Sequence, residues 1–158
     1  MQRSVILGLG NILNTDEGVG VHALKALEMR CGSQMRAELI DGGTMGLSLL
    51  PLVEECDDLL VLDAVDAGRA PGTLVELARD QIPLFAGVRV SQHQVTFQEV
   101  LGLAMVRGKL PRRLHLLGIQ PADTSLGIGL SAVAEATMPR LIARAREILQ
   151  DWDALDAV

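Results

Sequence analysis

Two short runs of almost unbroken apolar character limit what this chain can become. Residues 4–10 read Ser-Val-Ile-Leu-Gly-Leu-Gly, and residues 58–65 contain Leu59-Leu60-Val61-Leu62. A strand that shows no polar alternation must be covered on both faces, as strands are inside a parallel sheet. The segment after the first run has a different period. Over 18–30, Val19, Val21, Ala23, Leu24 and Leu27 recur at helical spacing between Lys25, Glu28 and Arg30. The pattern then predicts a second strand over 35–41, ending in Asp41-Gly42-Gly43. A helix is expected over 45–56, with Pro51 near its start or at a kink. The run over 58–65 is the most apolar and is expected to be the most central strand.

After the Pro71-Gly72 turn, residues 73–77 alternate as a short strand. Too few residues separate it from the preceding strand for a crossover helix, so it is expected to run antiparallel at an edge. A helix is predicted over 93–107, a last strand over 112–120, and a helical region from about 130 to 153, split or bent by Pro139. Strand–helix alternation of this kind predicts an α/β fold, a mostly parallel sheet with helices on both faces. The length, 158 residues, favours one domain spanning 1–158.

Composition excludes several functions. With no Tyr, two Phe and one Trp, the chain lacks the aromatic platforms on which single-stranded nucleic acid stacks. A formal charge of −6 argues against a surface that tracks phosphates. Cys31 and Cys56 form no CxxC pair, so neither a disulfide framework nor a cysteine zinc site is expected. The opening Met1-Gln2-Arg3-Ser4 leads into an apolar run too short for a signal peptide, and no stretch approaches the ~20 apolar residues of a membrane span. A reducing, cytoplasmic setting is the expectation.

Ligands of such sheets bind beyond the carboxyl ends of the strands. Asn11, Glu17, Asp41 and Asp63 fall there, and His93 joins them if its loop folds over the same edge. Two carboxylates and an imidazole (Glu17, Asp63 and His93) suit a divalent cation better than a packed core. Carboxylates within ~4 Å repel by about 4 kcal/mol at an effective dielectric near 20, and a cation or a proton relieves the conflict. Each residue taken singly also has a plainer reading. Glu17 fits a capping box with Asn14, Asp63 fits a bond to turn amides, and His93 fits a helix start.

Asp41 before Gly42-Gly43 reads either as an Asx-type turn or as a carboxylate at the cleft rim, available as a general acid or base. Asp16 reads as a solvated or helix-start acid. Gly8-Leu9-Gly10 lacks the third glycine of a dinucleotide fingerprint, since Leu13 occupies its place. Asn11 is expected to bond loop backbone, and His22 and His115 read as packing or surface residues. There is no Gly-x-Ser-x-Gly and no His-Glu-x-x-His. Arg107, Lys109, Arg112 and Arg113 form a basic patch, either a solvated loop or a dock for an acidic partner.

In order along the chain, several motifs resemble those of nickel-iron hydrogenase maturation endopeptidases. Ile6-Leu7-Gly8-Leu9-Gly10-Asn11-Ile12-Leu13 with Asp16-Glu17-Gly18-Val19-Gly20 is similar to the family's opening. Asp41-Gly42-Gly43-Thr44 with Gly46, Asp63-Ala64-Val65, Pro71-Gly72-Thr73, Ser91-Gln92-His93-Gln94 and Leu117-Gly118-Ile119-Gln120-Pro121 follow, with 127–130 after them. The resemblance implies a three-layer α/β/α fold with a five-stranded twisted sheet. It implies cleavage of a C-terminal extension from the large-subunit precursor of a nickel-iron hydrogenase after nickel insertion, with the substrate's own nickel sensed. It further implies Glu17, Asp63 and His93 as metal contacts, Asp41 as an acid of the cleavage, and a formal place among aspartic-type proteases. Zinc or cadmium is not excluded by such ligands. Two other readings stand beside this one: a non-catalytic, metal-sensing chaperone of the nickel-loaded precursor, and a small nucleotide-using α/β enzyme.

Overall fold

The computed structural model describes residues 2–82 and 95–156. Its strands are β1 (Ser4–Leu9), β2 (Glu38–Gly43), β3 (Asp58–Ala64), β4 (Leu74–Ala78) and β5 (Arg113–Ile119). Its α-helices are α1 (Val19–Cys31), α2 (Leu50–Glu55), α3 (Val95–Val106) and α4 (Ala132–Asp151). The five strands form one sheet in the order β2-β1-β3-β5-β4. All neighbours are parallel except β4, which runs antiparallel to β5 at the edge. The central position of β3 and the antiparallel edge both match the sequence reading.

The unbroken apolar runs are explained by two cores, one on each face. On β1 and β3, Ile6, Leu60 and Leu62 face α1 and α4, packing with Leu24, Leu27, Leu141 and Ala145. Val5, Leu7, Leu59 and Val61 face the other way, against Val53 of α2 and Phe97, Val100 and Leu101 of α3. Every residue of β3 is buried. The sheet is therefore the middle of three layers, and β3 has no solvent face on which a polar alternation would appear.

Elements differ from the sequence pattern where partners distant in the chain intervene. The second strand starts later than expected, at Glu38, because the amides of Arg36 and Ala37 donate to the Ala154 carbonyl and Met35 bridges Leu155. The expected helix over 45–56 opens as a 3-10 turn, Gly46–Leu49, and becomes α-helical only from Leu50, with Pro51 in its first turn. α4 continues through Pro139 as one helix. Asn14 makes no capping bond to the turn that follows it, so the capping-box reading of Glu17 fails. The Asn14 amide donates instead to the Thr124 carbonyl at 3.3 Å.

The connections place a crevice beyond β1 and β3. From β1 the chain moves outward to β2, and from β3 toward β5 in the opposite direction. The loops therefore diverge between these two strands, the usual place for ligands in open α/β sheets. Gly20 lets α1 sit tightly there. A Cβ at that position would lie 2.1 Å from the Leu62 carbonyl oxygen and 2.5 Å from that of Leu9. Among the described residues, no helix is long and apolar enough to cross a membrane.

Candidate functional site

Asp63 lies near the carboxyl end of β3 and Glu17 in the 3-10 turn Thr15–Gly18 after β1. Both are buried, at 0% and 4% exposure. Gly10, in the left-handed region with φ +118°, stands between them. A Cβ there would fall 1.8 Å from the Glu17 carbonyl oxygen and 3.6 Å from Asp63 Oδ1. Glycine is thus required both for the backbone angle and for the closeness of the two loops.

The Asp63 carboxyl is only partly satisfied. Its Oδ1 accepts the Ala64 amide at 2.8 Å. Oδ2 is buried with no hydrogen-bond partner among the described residues. Burial pushes the acid well above the usual carboxylate range; the Ala64 amide opposes the shift and the negative charge of Glu17 adds to it. An orphaned buried carboxylate oxygen is costly, and its position at the sheet's switch point is where such a cost accompanies ligand chemistry.

Asp16, read as a solvated or helix-start acid, lies in the first turn of the 3-10 helix Thr15–Gly18 and is only 1% exposed. Its Oδ2 accepts the amides of Ala122 and Asp123 at 2.9 and 3.2 Å and the Ser131 hydroxyl at 2.7 Å. Its Oδ1 accepts the Ser131 amide at 2.8 Å. One carboxylate thus clasps both ends of the β5–α4 loop against the turn that carries Glu17. Nothing local in Asp16-Glu17-Gly18 signals this, because every partner lies beyond position 120.

Asp41 lies on the neighbouring rim. It is exposed, and its Oδ1 accepts the Gly43 amide at 3.0 Å, the expected Asx-type turn, with Gly43 at φ +49°. It also lines a cleft of about 280 Å³ together with Gly10, Asn11, Ile12, Val21, Gly43 and Thr44. The turn and the cleft-rim readings therefore both describe it. Asn11 bonds loop backbone as expected, accepting the Leu13 amide at 2.9 Å. The structure thus brings Glu17 and Asp63 together with Asp41 nearby, while His93 lies outside the described residues. Among the described residues, no group of three His, Cys, Asp or Glu side chains forms a metal-sized cluster.

The remaining singled-out residues sit elsewhere. His115 pairs with Glu76 at 2.9 Å, and His22 Nε2 is buried without a partner among the described residues. Arg107 pairs with Glu54 at 2.6 Å and Arg113 with Asp58 at 2.7 Å. Asp58 opens β3 and Arg113 opens β5, so Arg113 lies at the amino ends of the strands, away from the crevice. Burial raises the thiol of Cys31 and pushes that of Cys56 up to about 12, so neither is an activated nucleophile.

A family model described as hydrogenase maturation protease matches residues 21–148. The chain belongs to the hydrogenase maturation protease family. The hydrogenase expression/formation protein HupD of Rhizobium leguminosarum bv. viciae is 41% identical over 152 residues, covering 95% of this chain and 75% of that protein. The hydrogenase 2 maturation protease of Escherichia coli (strain K12) is 35% identical over 150 residues, with 92% of each chain covered. The solved structure of the hydrogenase maturating endopeptidase HybD from E. coli matches with a TM-score of 0.86 at 35% identity, covering 95% of this chain and 93% of that one. Membership in this protease family makes peptide-bond hydrolysis the chemistry to be explained.

Proposed function

We propose that this protein removes a C-terminal extension from the large-subunit precursor of a nickel-iron hydrogenase once nickel is in place. In this reading the nickel borne by the substrate is recognised by Glu17, Asp63 and His93. The observation that carries it is the Asp63 carboxyl, fully buried, with one oxygen unpartnered among the described residues and Glu17 beside it. Two carboxylates so placed resist holding two charges alone and favour an arriving cation. Oxygen and imidazole donors suit nickel and would also accept zinc or cadmium.

When bound, such a cation polarises a carbonyl or activates water. The chain's own part is positional. β3, buried along its whole length, fixes Asp63. The Asp16 clasp fixes the turn that presents Glu17. Gly10 lets the two loops pack closely. Asp41, exposed at the cleft rim, is positioned to exchange a proton with water or substrate during cleavage.

The test is incubation with nickel-loaded, extension-bearing precursor and with the same precursor lacking nickel. Wild type is expected to trim only the nickel-loaded form, and Glu17→Ala, Asp63→Ala and His93→Ala to leave it intact. A precursor held uncut in a stable complex by wild type would instead support a chaperone, and trimming regardless of nickel would refute the recognition step.

A further inference from the structure

The loop between β5 and α4 carries a feature that neither the core nor the carboxylate pair requires. Its ends are clasped by Asp16, and its middle pairs with the loop after β1. The Gly127 amide donates to the Leu13 carbonyl at 2.8 Å, and the Thr15 amide donates to the Gly127 carbonyl at 3.1 Å, a parallel bridge between Asn14 and Gly127. In a parallel pairing a residue directs both main-chain groups to one neighbour, and the residues flanking it direct theirs to the other side. Gly127 is committed to residues 13 and 15, and the chain bends at Leu126 and Ile128 on either side of it, leaving their amides and carbonyls outside that bridge. Among the described residues nothing bonds to them.

The side chains repeat the message. Leu126 and Ile128 are 83% and 88% exposed, and Leu13 on the paired loop is 51% exposed. Unpaired strand edges flanked by bare aliphatic side chains invite another strand. We propose that 126–128 is an edge on which an extended, aliphatic-flanked segment of the protein substrate adds as a further strand. Two arguments choose this occupant. A protease acts on an extended peptide, which needs main-chain partners. The segment also lies beside the site, since Thr15 bonds Gly127 and is two residues from Glu17, at most roughly 7 Å along the chain.

The proposal rests on the precursor-processing reading, and the experiment separates the two. Processing of nickel-loaded precursor is followed for wild type, Leu126→Lys/Ile128→Lys and Ile128→Pro, each checked by urea melting. The double lysine variant keeps the backbone and alters only exposed positions. It is expected to raise KM about tenfold with kcat little changed. Ile128→Pro, which removes one outward amide, is expected to raise KM by a similar factor. If wild type trims no precursor, the functional reading fails and the proposal with it. If wild type trims and the double lysine variant keeps its KM, strand addition alone is overturned, whether or not the proline variant folds. A wild-type dimer at assay concentration that the double lysine variant dissolves, with KM unchanged, would assign the edge to a second copy and also overturn it.

Discussion

Replacing Asp16 by Asn tests how the site is held. The substitution keeps size and shape but removes one acceptor atom. At present Oδ2 serves the amides of Ala122 and Asp123 and the Ser131 hydroxyl, and Oδ1 serves the Ser131 amide. In Asn the best orientation leaves the carboxamide oxygen facing the first group and turns its NH2 onto the Ser131 amide, donor against donor. One buried donor is then unsatisfied, which costs about 1–3 kcal/mol, and the other bonds to a charged acceptor are weakened to neutral ones. The expected total is about 2–4 kcal/mol. The loop opens before the sheet does, so global urea unfolding registers only part of the loss. Amide hydrogen exchange at Ala122, Asp123 and Ser131 registers the rest as faster exchange, and precursor processing falls as the Glu17 turn loosens. Exchange at those amides unchanged within twofold, with a urea midpoint equal to wild type, would refute the clasp.

Three further outcomes are expected. Asp63→Asn raises the melting temperature of the free protein at pH 7 while abolishing processing. A raised native pKa means that Asp63 costs no stability below its unfolded value near 4 and progressively more as pH rises toward the native value, so the variant's advantage vanishes in acid; equal melting at pH 7 would count against it. Glu76, held at about 2 chiefly by hydrogen bonds from Arg144, contributes stability that is full above about 4.5 and lost as pH falls toward 2. Partial exposure limits that to under about 1 kcal/mol, and Glu76→Gln flattens the acid limb of a stability–pH curve by that amount. Gly20→Ala sets a methyl against two carbonyl oxygens that belong to the sheet, so α1 must move; a loss of about 3 kcal/mol in urea unfolding is expected, and a loss under 1 would show that the helix shifts freely.

How legible the molecule was depends on how far away each partner lies. The uniform burial of β3 was readable because 58–65 has no polar alternation to place at a surface. The antiparallel β4 was readable from the short connection alone. The start of β2 was not, since Met35, Arg36 and Ala37 are captured by Ala154 and Leu155 at the far end of the chain. Asp63 was legible as a carboxyl-end residue because it closes an apolar strand, and Glu17 because it sits in the turn between the first strand and the first helix. Asp16, one residue away, was legible as a helix-start acid but not as a buried one, because its four donors come from a loop more than a hundred residues later.

The switch in direction between β1 and β3 also bears on when the protein acquires its chemistry during folding. Neither acid-bearing junction belongs to a hairpin or any other local unit, so no fragment holding only one of these strands can present both acids. They become neighbours when β1 and β3 pair, and the Glu17 turn is held there only once the β5–α4 loop reaches Asp16. From then on burial of the Asp63 carboxyl, with the charge of Glu17 beside it, opposes the pairing that creates it. A chain that has just emerged from synthesis would thus complete the site only when its last loop and helix arrive.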